Sequence, residues 1–201
     1  MLRNQAGKRN QAGFSLQEAL VVVAIGLIVT ASGLPRMNNA IGNMKLRSSM
    51  TSLSGLLQNA RMLAIKQNKT MTALHYNRDT EPRSMVYYVK LATASTDLST
   101  TDAQVELEQP ITAYTTPAGT GAPTAITNTA LGVTTIPETG NPSFNSRGLP
   151  CNYNAGTCTN VSFIQYYKDN RIAGSGGWAA ISISPAGRIK RWFWNGSAWL
   201  D

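Results

Sequence analysis

Gly13-Phe14-Ser15-Leu16-Gln17-Glu18-Ala19-Leu20, running on through Val21-Val22-Val23-Ala24-Ile25-Gly26-Leu27-Ile28-Val29 to Gly33-Leu34-Pro35, is the stretch on which the reading of this 201-residue chain turns. Ahead of it stand Arg3, Lys8 and Arg9 and no acid. From Phe14 to Leu34 is about 21 residues, roughly 30 Å as a helix, which is the hydrocarbon thickness of a bilayer. Glu18 does not suit a plain anchor. An ionised carboxylate in such a run costs about 2.5–3.5 kcal/mol on insertion scales, so it reads as a functional residue that needs a partner. Three readings fit the stretch. A secretory signal peptide accounts for the basic start, the apolar centre and Ala31-Ser32-Gly33 as a poor cleavage site. A signal anchor accounts for the same features. The third reading adds what those two leave over: a glycine, an aromatic directly after it, and an acid four residues further on.

In those three places the chain resembles the type IV pilin-like proteins, the prepilins and pseudopilins. Their leader ends in Gly, the mature chain starts with Phe, and Glu is its fifth residue. Gly13, Phe14 and Glu18 fill these positions, while Ser15 and Gln17 depart from the usual Gly-Phe-Thr-Leu-Ile-Glu form. The resemblance implies a leader over residues 1–13 and a cut between Gly13 and Phe14 by a prepilin peptidase. It also implies N-methylation of Phe14 and an assembly role for Glu18. Residues 14–35 would be the transmembrane and assembly half of a long helix. The protein would sit in the bacterial inner membrane as a single-pass protein with a periplasmic C-terminal domain, then move into a pilus or pseudopilus beside other pilin or pseudopilin subunits. Physical chemistry supports that role for Glu18: a new ammonium and a carboxylate are each costly in lipid alone and much less so as a pair, within one chain or between neighbours.

The formal net charge is +8, and losing residues 1–13, which hold three bases, leaves about +5. Charged residues are sparse at 14%, a composition that suits a β-rich extracytoplasmic domain better than a cytosolic enzyme. Cys151 and Cys158 enclose a short loop. In an exported protein they are expected to form a disulfide, with two free or buried thiols as the alternative. A metal site would need more ligands, and His75, the one histidine, is far off in sequence. With no nucleophile motif, phosphate-cradling glycine loop or ligand cluster, neither cofactor nor metal is expected, and the chain does not read as an enzyme. A membrane-anchored periplasmic enzyme is the reading kept from another class.

After Pro35 the period stays helical but becomes amphipathic. Ile41, Met44, Leu53, Leu56, Leu57, Ala60, Leu63 and Ala64 form an apolar stripe over residues 36–68. Gly33 and Pro35 predict a kink or local melting between the two halves. From about residue 70 the period falls to two. Strands are expected over 70–76 and 84–91, with a turn at 78–82 between them. Residues 92–143 are rich in Thr, Ala, Gly and Pro; 104–107 and 130–136 are strand candidates within them. Further strands are expected over 161–167, 178–184, 188–194 and 197–200, the last joined by a two-residue Asn195-Gly196 hairpin turn. The fold class is α+β. The family resemblance makes it type IV pilin-like: a long N-terminal helix packed on a small antiparallel β-rich C-terminal domain, residues 69–201.

The C-terminal segment resembles the GspH/FimT branch of these proteins. Phe144-Asn145-Ser146-Arg147-Gly148 matches its Phe-x-x-x-Gly turn, and Ile183-Ser184-Pro185-Ala186-Gly187-Arg188-Ile189-Lys190 its Ser-Pro-x-Gly-Arg turn and basic strand. Strand alternation puts Arg188, Lys190, Trp192 and Trp194 on one face, with Ile189, Arg191 and Phe193 on the other. Cations hold phosphates and indoles stack bases, so Arg188, Lys190, Arg191, Trp192 and Trp194 are candidate DNA contacts. Some FimT-type minor pilins take up DNA through a Gly-Arg-x-Arg turn, which here reads Gly187-Arg188-Ile189-Lys190; lysine keeps the charge and loses the planar fork. The competing reading is an edge hairpin with a solvated basic face and tryptophans packed on the domain. The resemblance thus implies a minor pilin that contacts DNA for uptake, or else a GspH-like minor pseudopilin of a type II protein secretion system.

Overall fold

The computed structural model describes residues 15–78, 84–172 and 174–201, and for residues 32–36, 78, 84 and 108 the backbone alone. The leader, the expected cut between Gly13 and Phe14, and the methylation site Phe14 lie outside the described residues. The chain divides into two compact units, Met1–Met37 and Asn38–Asp201. Helix α1, Leu16–Gln67, contributes to both. Its backbone is helical at Gly33 and Pro35 too, so the melting expected there is not found.

In the first unit α1 is apolar and uncovered: Leu16, Leu20, Ile25, Leu27, Ile28 and Val29 are all more than half exposed. Among the described residues no helix is long and apolar enough to cross a membrane. The expected span 14–35 includes Phe14 and the side chains of 32–36, which lie outside the description.

In the second unit α1 buries one stripe. Gly42, Leu46, Met50, Leu53, Leu57, Ala60 and Ala64 are buried, at steps of four or three residues. This corrects the start of the expected stripe. Ile41 and Met44 are 42% and 71% exposed. Gly42 faces the domain so closely that a Cβ there would stand 2.9 Å from Ile172 Cγ1, and its neighbour Ile41 is therefore rotated outward by about 100°.

Among the described residues eleven strands follow: β1 Met71–Arg78, β2 Ser84–Leu91, β3 Gln104–Glu108, β4 Ile111–Tyr114, β5 Ser143–Phe144, β6 Pro150–Asn154, β7 Thr157–Asn160, β8 Phe163–Asp169, β9 Trp178–Ile183, β10 Ile189–Trp194 and β11 Trp199–Leu200. One sheet runs β3-β2-β1-β5-β6-β7 and the other β11-β10-β9-β8-β4, each with antiparallel ladders. The stripe of α1 closes a core with Met71, Ala73, Tyr87 and Val89 of the first sheet and Tyr167, Ala179, Ile181 and Ile183 of the second. The α+β class and the long helix against antiparallel sheets are as the sequence predicts.

Two local expectations need correcting, and strands β4 to β7 were not expected. Residues 130–136 are not a strand. Thr127 caps a single helical turn, α2, Asn128–Leu131, by accepting from Ala130 N at 3.3 Å, and Gly132 ends it in the left-handed region. β4 has no counterpart in the sequence pattern, because Ile111 is its one large aliphatic residue. The last hairpin is wider than a two-residue turn. Trp194 pairs with Trp199, Asn195 N donates to Ala198 O, and the Asn195 side chain accepts from the amides of Ser197 and Ala198.

Candidate functional site: the helix start and the basic turn

At the helix start Ser15 and Glu18 bond reciprocally. Glu18 N donates to Ser15 Oγ at 3.2 Å, and Ser15 N donates to Glu18 Oε2 at 3.3 Å. This is a capping box, and it gives the Glu18 carboxylate a local task in addition to the assembly role expected of it. The Ser-x-x-Glu spacing was present in the sequence as the signal for it.

The C-terminal site is built where two distant turns meet. In the first, the Asn145 side chain accepts from Arg147 N and Leu149 N, and Gly148 turns the chain at φ +75°. In the second, Gly187 N donates to Ser184 O, and Gly187 lies at φ +81°. A Cβ on Gly187 would lie 3.1 Å from Gly148 O and 3.2 Å from Arg61 Cζ. Arg61 of α1 fixes the junction by donating from Nη1 to Gly187 O at 3.1 Å. Gly187 and Arg188 help line a groove of about 460 Å³ beside Arg61, Met62 and Ile65. Arg61 escaped the sequence reading because nothing in the helical pattern separates it from other solvated bases.

Strand β10 has the predicted alternation. Arg191 and Phe193 face α1: Arg191 Nη1 donates to Thr51 Oγ1 at 2.7 Å, and Arg47 lies 4.8 Å over the Phe193 ring. Lys190, Trp192 and Trp194 face the other way, but the indoles are not free to stack bases. Trp192 is 5% exposed and donates from Nε1 to Ser182 Oγ at 2.8 Å. Trp194 is half-buried against Trp199, with ring centroids 5.6 Å apart. The connection after β4 covers them. Ile126 and Leu131 join a second apolar cluster with Tyr166, Trp178 and Trp192, and Trp199 Nε1 donates to Thr124 O. The stacking part of the expected DNA face is therefore corrected to core packing, as the competing reading has it.

The cations stay accessible. Arg188 is exposed. Lys190 Nζ sits 4.9 Å over the Trp192 ring and 2.5 Å from Asp201 Oδ2. Arg188 and Lys190 together line a second groove of about 300 Å³, with Ser182, Ser184 and the turn of α2. The hydrogen bond and charge of Lys190, with a smaller contribution from Arg188, hold the Asp201 carboxyl below its ordinary range. Asp201 was missed. Its signal is register: Phe193 pairs with Leu200, and the next step sets residue 201 opposite Trp192.

Cys151 and Cys158 form the expected disulfide, Cα–Cα 5.3 Å, across the β6–β7 hairpin. His75 Nδ1 is 2.8 Å from Asn141 Oδ1 and its ring packs on Tyr87. Among the described residues no group of three His, Cys, Asp or Glu could hold a metal ion.

Residues 8–34 match the family described as "Prokaryotic N-terminal methylation motif", a stretch that contains Gly13, Phe14 and Glu18. With that motif leading a long helix that packs on antiparallel sheets, the chain is a type IV pilin-like protein. It is similar to the type IV minor pilin FimU of Pseudomonas aeruginosa, whose crystal structure it matches at 16% identity and TM-score 0.44 over 79% of this chain and 95% of that one. A likeness at that level is too loose to carry function. Comparison with curated proteins finds no match.

Proposed function

We propose that this chain is a minor pilin of the GspH/FimT kind, a non-catalytic subunit of a type IV pilus whose basic C-terminal turn contacts DNA for uptake. The methylation motif over residues 8–34 is the observation that carries the subunit role. In this reading a prepilin peptidase cuts between Gly13 and Phe14 and Phe14 is N-methylated. Residues 14–35 hold the subunit in the inner membrane until assembly, and Glu18 pairs with the new amine of its own or a neighbouring chain. Arg188 and Lys190, lining one groove, support the DNA contact through phosphates rather than bases. A second reading is a minor pseudopilin of a type II secretion system. The burial of Trp192 and the packing of Trp194 favour it, because they leave a basic rim without a stacking platform.

N-terminal sequencing and mass measurement of the membrane-extracted protein test the subunit role. The expected chain begins at methylated Phe14, and a chain that begins elsewhere overturns it. Gel shifts of the full chain in detergent, at low and high salt, test the DNA contact. The expected binding is salt-sensitive and lost in Arg188→Gln/Lys190→Gln; absence of binding at low salt removes the DNA contact and leaves the secretion reading.

A further inference from the structure

One of the two cations that line the basic groove, Lys190, is already paired with an anion of the protein's own. Asp201 places a carboxylate oxygen 2.5 Å from Lys190 Nζ, and that ammonium also lies 4.9 Å over the Trp192 ring. The remaining groove residues are Ser182, Ser184, the cation Arg188 and the small turn of α2, and none of them is acidic. Both partners keep contact with solvent, at 26% and 49% side-chain exposure. The pair is therefore one that a competing ion can reach and that contributes little to folding. A carboxylate and a phosphodiester each offer a single negative charge spread over two oxygens, so they are alternative partners for the same ammonium.

We propose that Asp201 stands in for a ligand phosphate: a polynucleotide entering the groove displaces the carboxylate from Lys190 and sets a phosphodiester between Lys190 and Arg188. The inference rests on the DNA-contact reading and adds a built-in competitor to it. While Asp201 holds Lys190, that lysine is neutralised and attracts the polyanion weakly. The consequence is a graded surface, on which Arg188 makes the first contact and Lys190 joins once the carboxylate has swung away.

The test is fluorescence anisotropy with a labelled DNA duplex and the full chain in detergent, over a salt series. Asp201→Asn is expected to tighten binding about fivefold, the value of one nearby unit charge at high dielectric. It is also expected to steepen the slope of log K against log salt by about 0.9, because one more lysine then releases a counterion. Asp201→Glu, which keeps the charge, is expected to bind like the parent. Lys190→Gln in the Asp201→Asn background is expected to cancel the gain. Matching thermal melts confirm that each variant folds. If Asp201→Asn binds with unchanged affinity and slope, the inference falls while the DNA contact stands. If neither protein binds at low salt, the DNA contact itself falls and the inference with it. Binding by Asp201→Asn alone means that the parent makes no DNA contact, and it overturns the inference as well.

Discussion

Gly187 stands where three segments converge: its own turn, the Gly148 turn and Arg61 of α1. A side chain there meets the carbonyl of Gly148 and the guanidinium while its backbone sits at φ +81°. Gly187→Ala is expected to cost about 1–3 kcal/mol, read as a fall in Tm of about 2–4 °C per kcal/mol for a chain of this size. Gly55→Ala should go the other way. Gly55 lies on an exposed helical turn with nothing within 4 Å of its Cβ position, so the alanine gains about 0.5–1 kcal/mol of helix propensity. Burial pushes the Tyr87 hydroxyl up to about 12, although its bond from Tyr167 pulls the other way, and burial raises Tyr167 as well. An acid held protonated in the folded chain keeps a proton that the unfolded chain releases near pH 10. Stability therefore falls between about pH 10 and 12, by up to about 1.4 kcal/mol per unit for each such group. Denaturant titrations at pH 9 and pH 11 check this, and Tyr87→Phe is expected to make the decline shallower.

Among the elements, α1 separates pattern from placement. Leu53→Ala is expected to cost about 2–5 kcal/mol, since Leu53 is 1% exposed in the core, whereas Met44→Ala stays within about 0.5 kcal/mol. Equilibrium unfolding of Met44→Ala, with Leu53→Ala as the reference for a stripe position, decides whether Met44 belongs to the buried stripe. The existence and period of α1 were legible in the sequence; the phase of its first two turns was not, because Gly42 faces inward without being apolar. β2 was legible to the residue, and β9 was legible as a strand. All six residues of β9 are buried, however, since it lies between β8 and β10 with α1 on one side and the Ile126 cluster on the other. The same cluster explains why the basic strand was half right. Alternation placed Lys190 and Trp192 together correctly, but the cover over Trp192 comes from a polar connection of low apolar content whose path no local pattern reveals. The two glycine turns were visible as separate motifs; that they meet over Arg61 is a tertiary fact.

For the whole molecule, an uncovered apolar helix half precedes a basic folded unit. The full chain is expected to float with liposomes, and Val23→Asp to lower the floated fraction, since a mid-helix acid costs about 2.5–3.5 kcal/mol on insertion scales. If both float equally, the first half of α1 is not what binds lipid.

The reciprocal bonds of Ser15 and Glu18 draw on groups from Ser15 onward. The proposed cut before Phe14 would therefore remove three side-chain cations and move the terminal ammonium to Phe14 without unwinding the coil behind it. Precursor and product would share a first turn and differ in the electrical character of their tip, so that maturation would change what the end attracts and leave its shape in place.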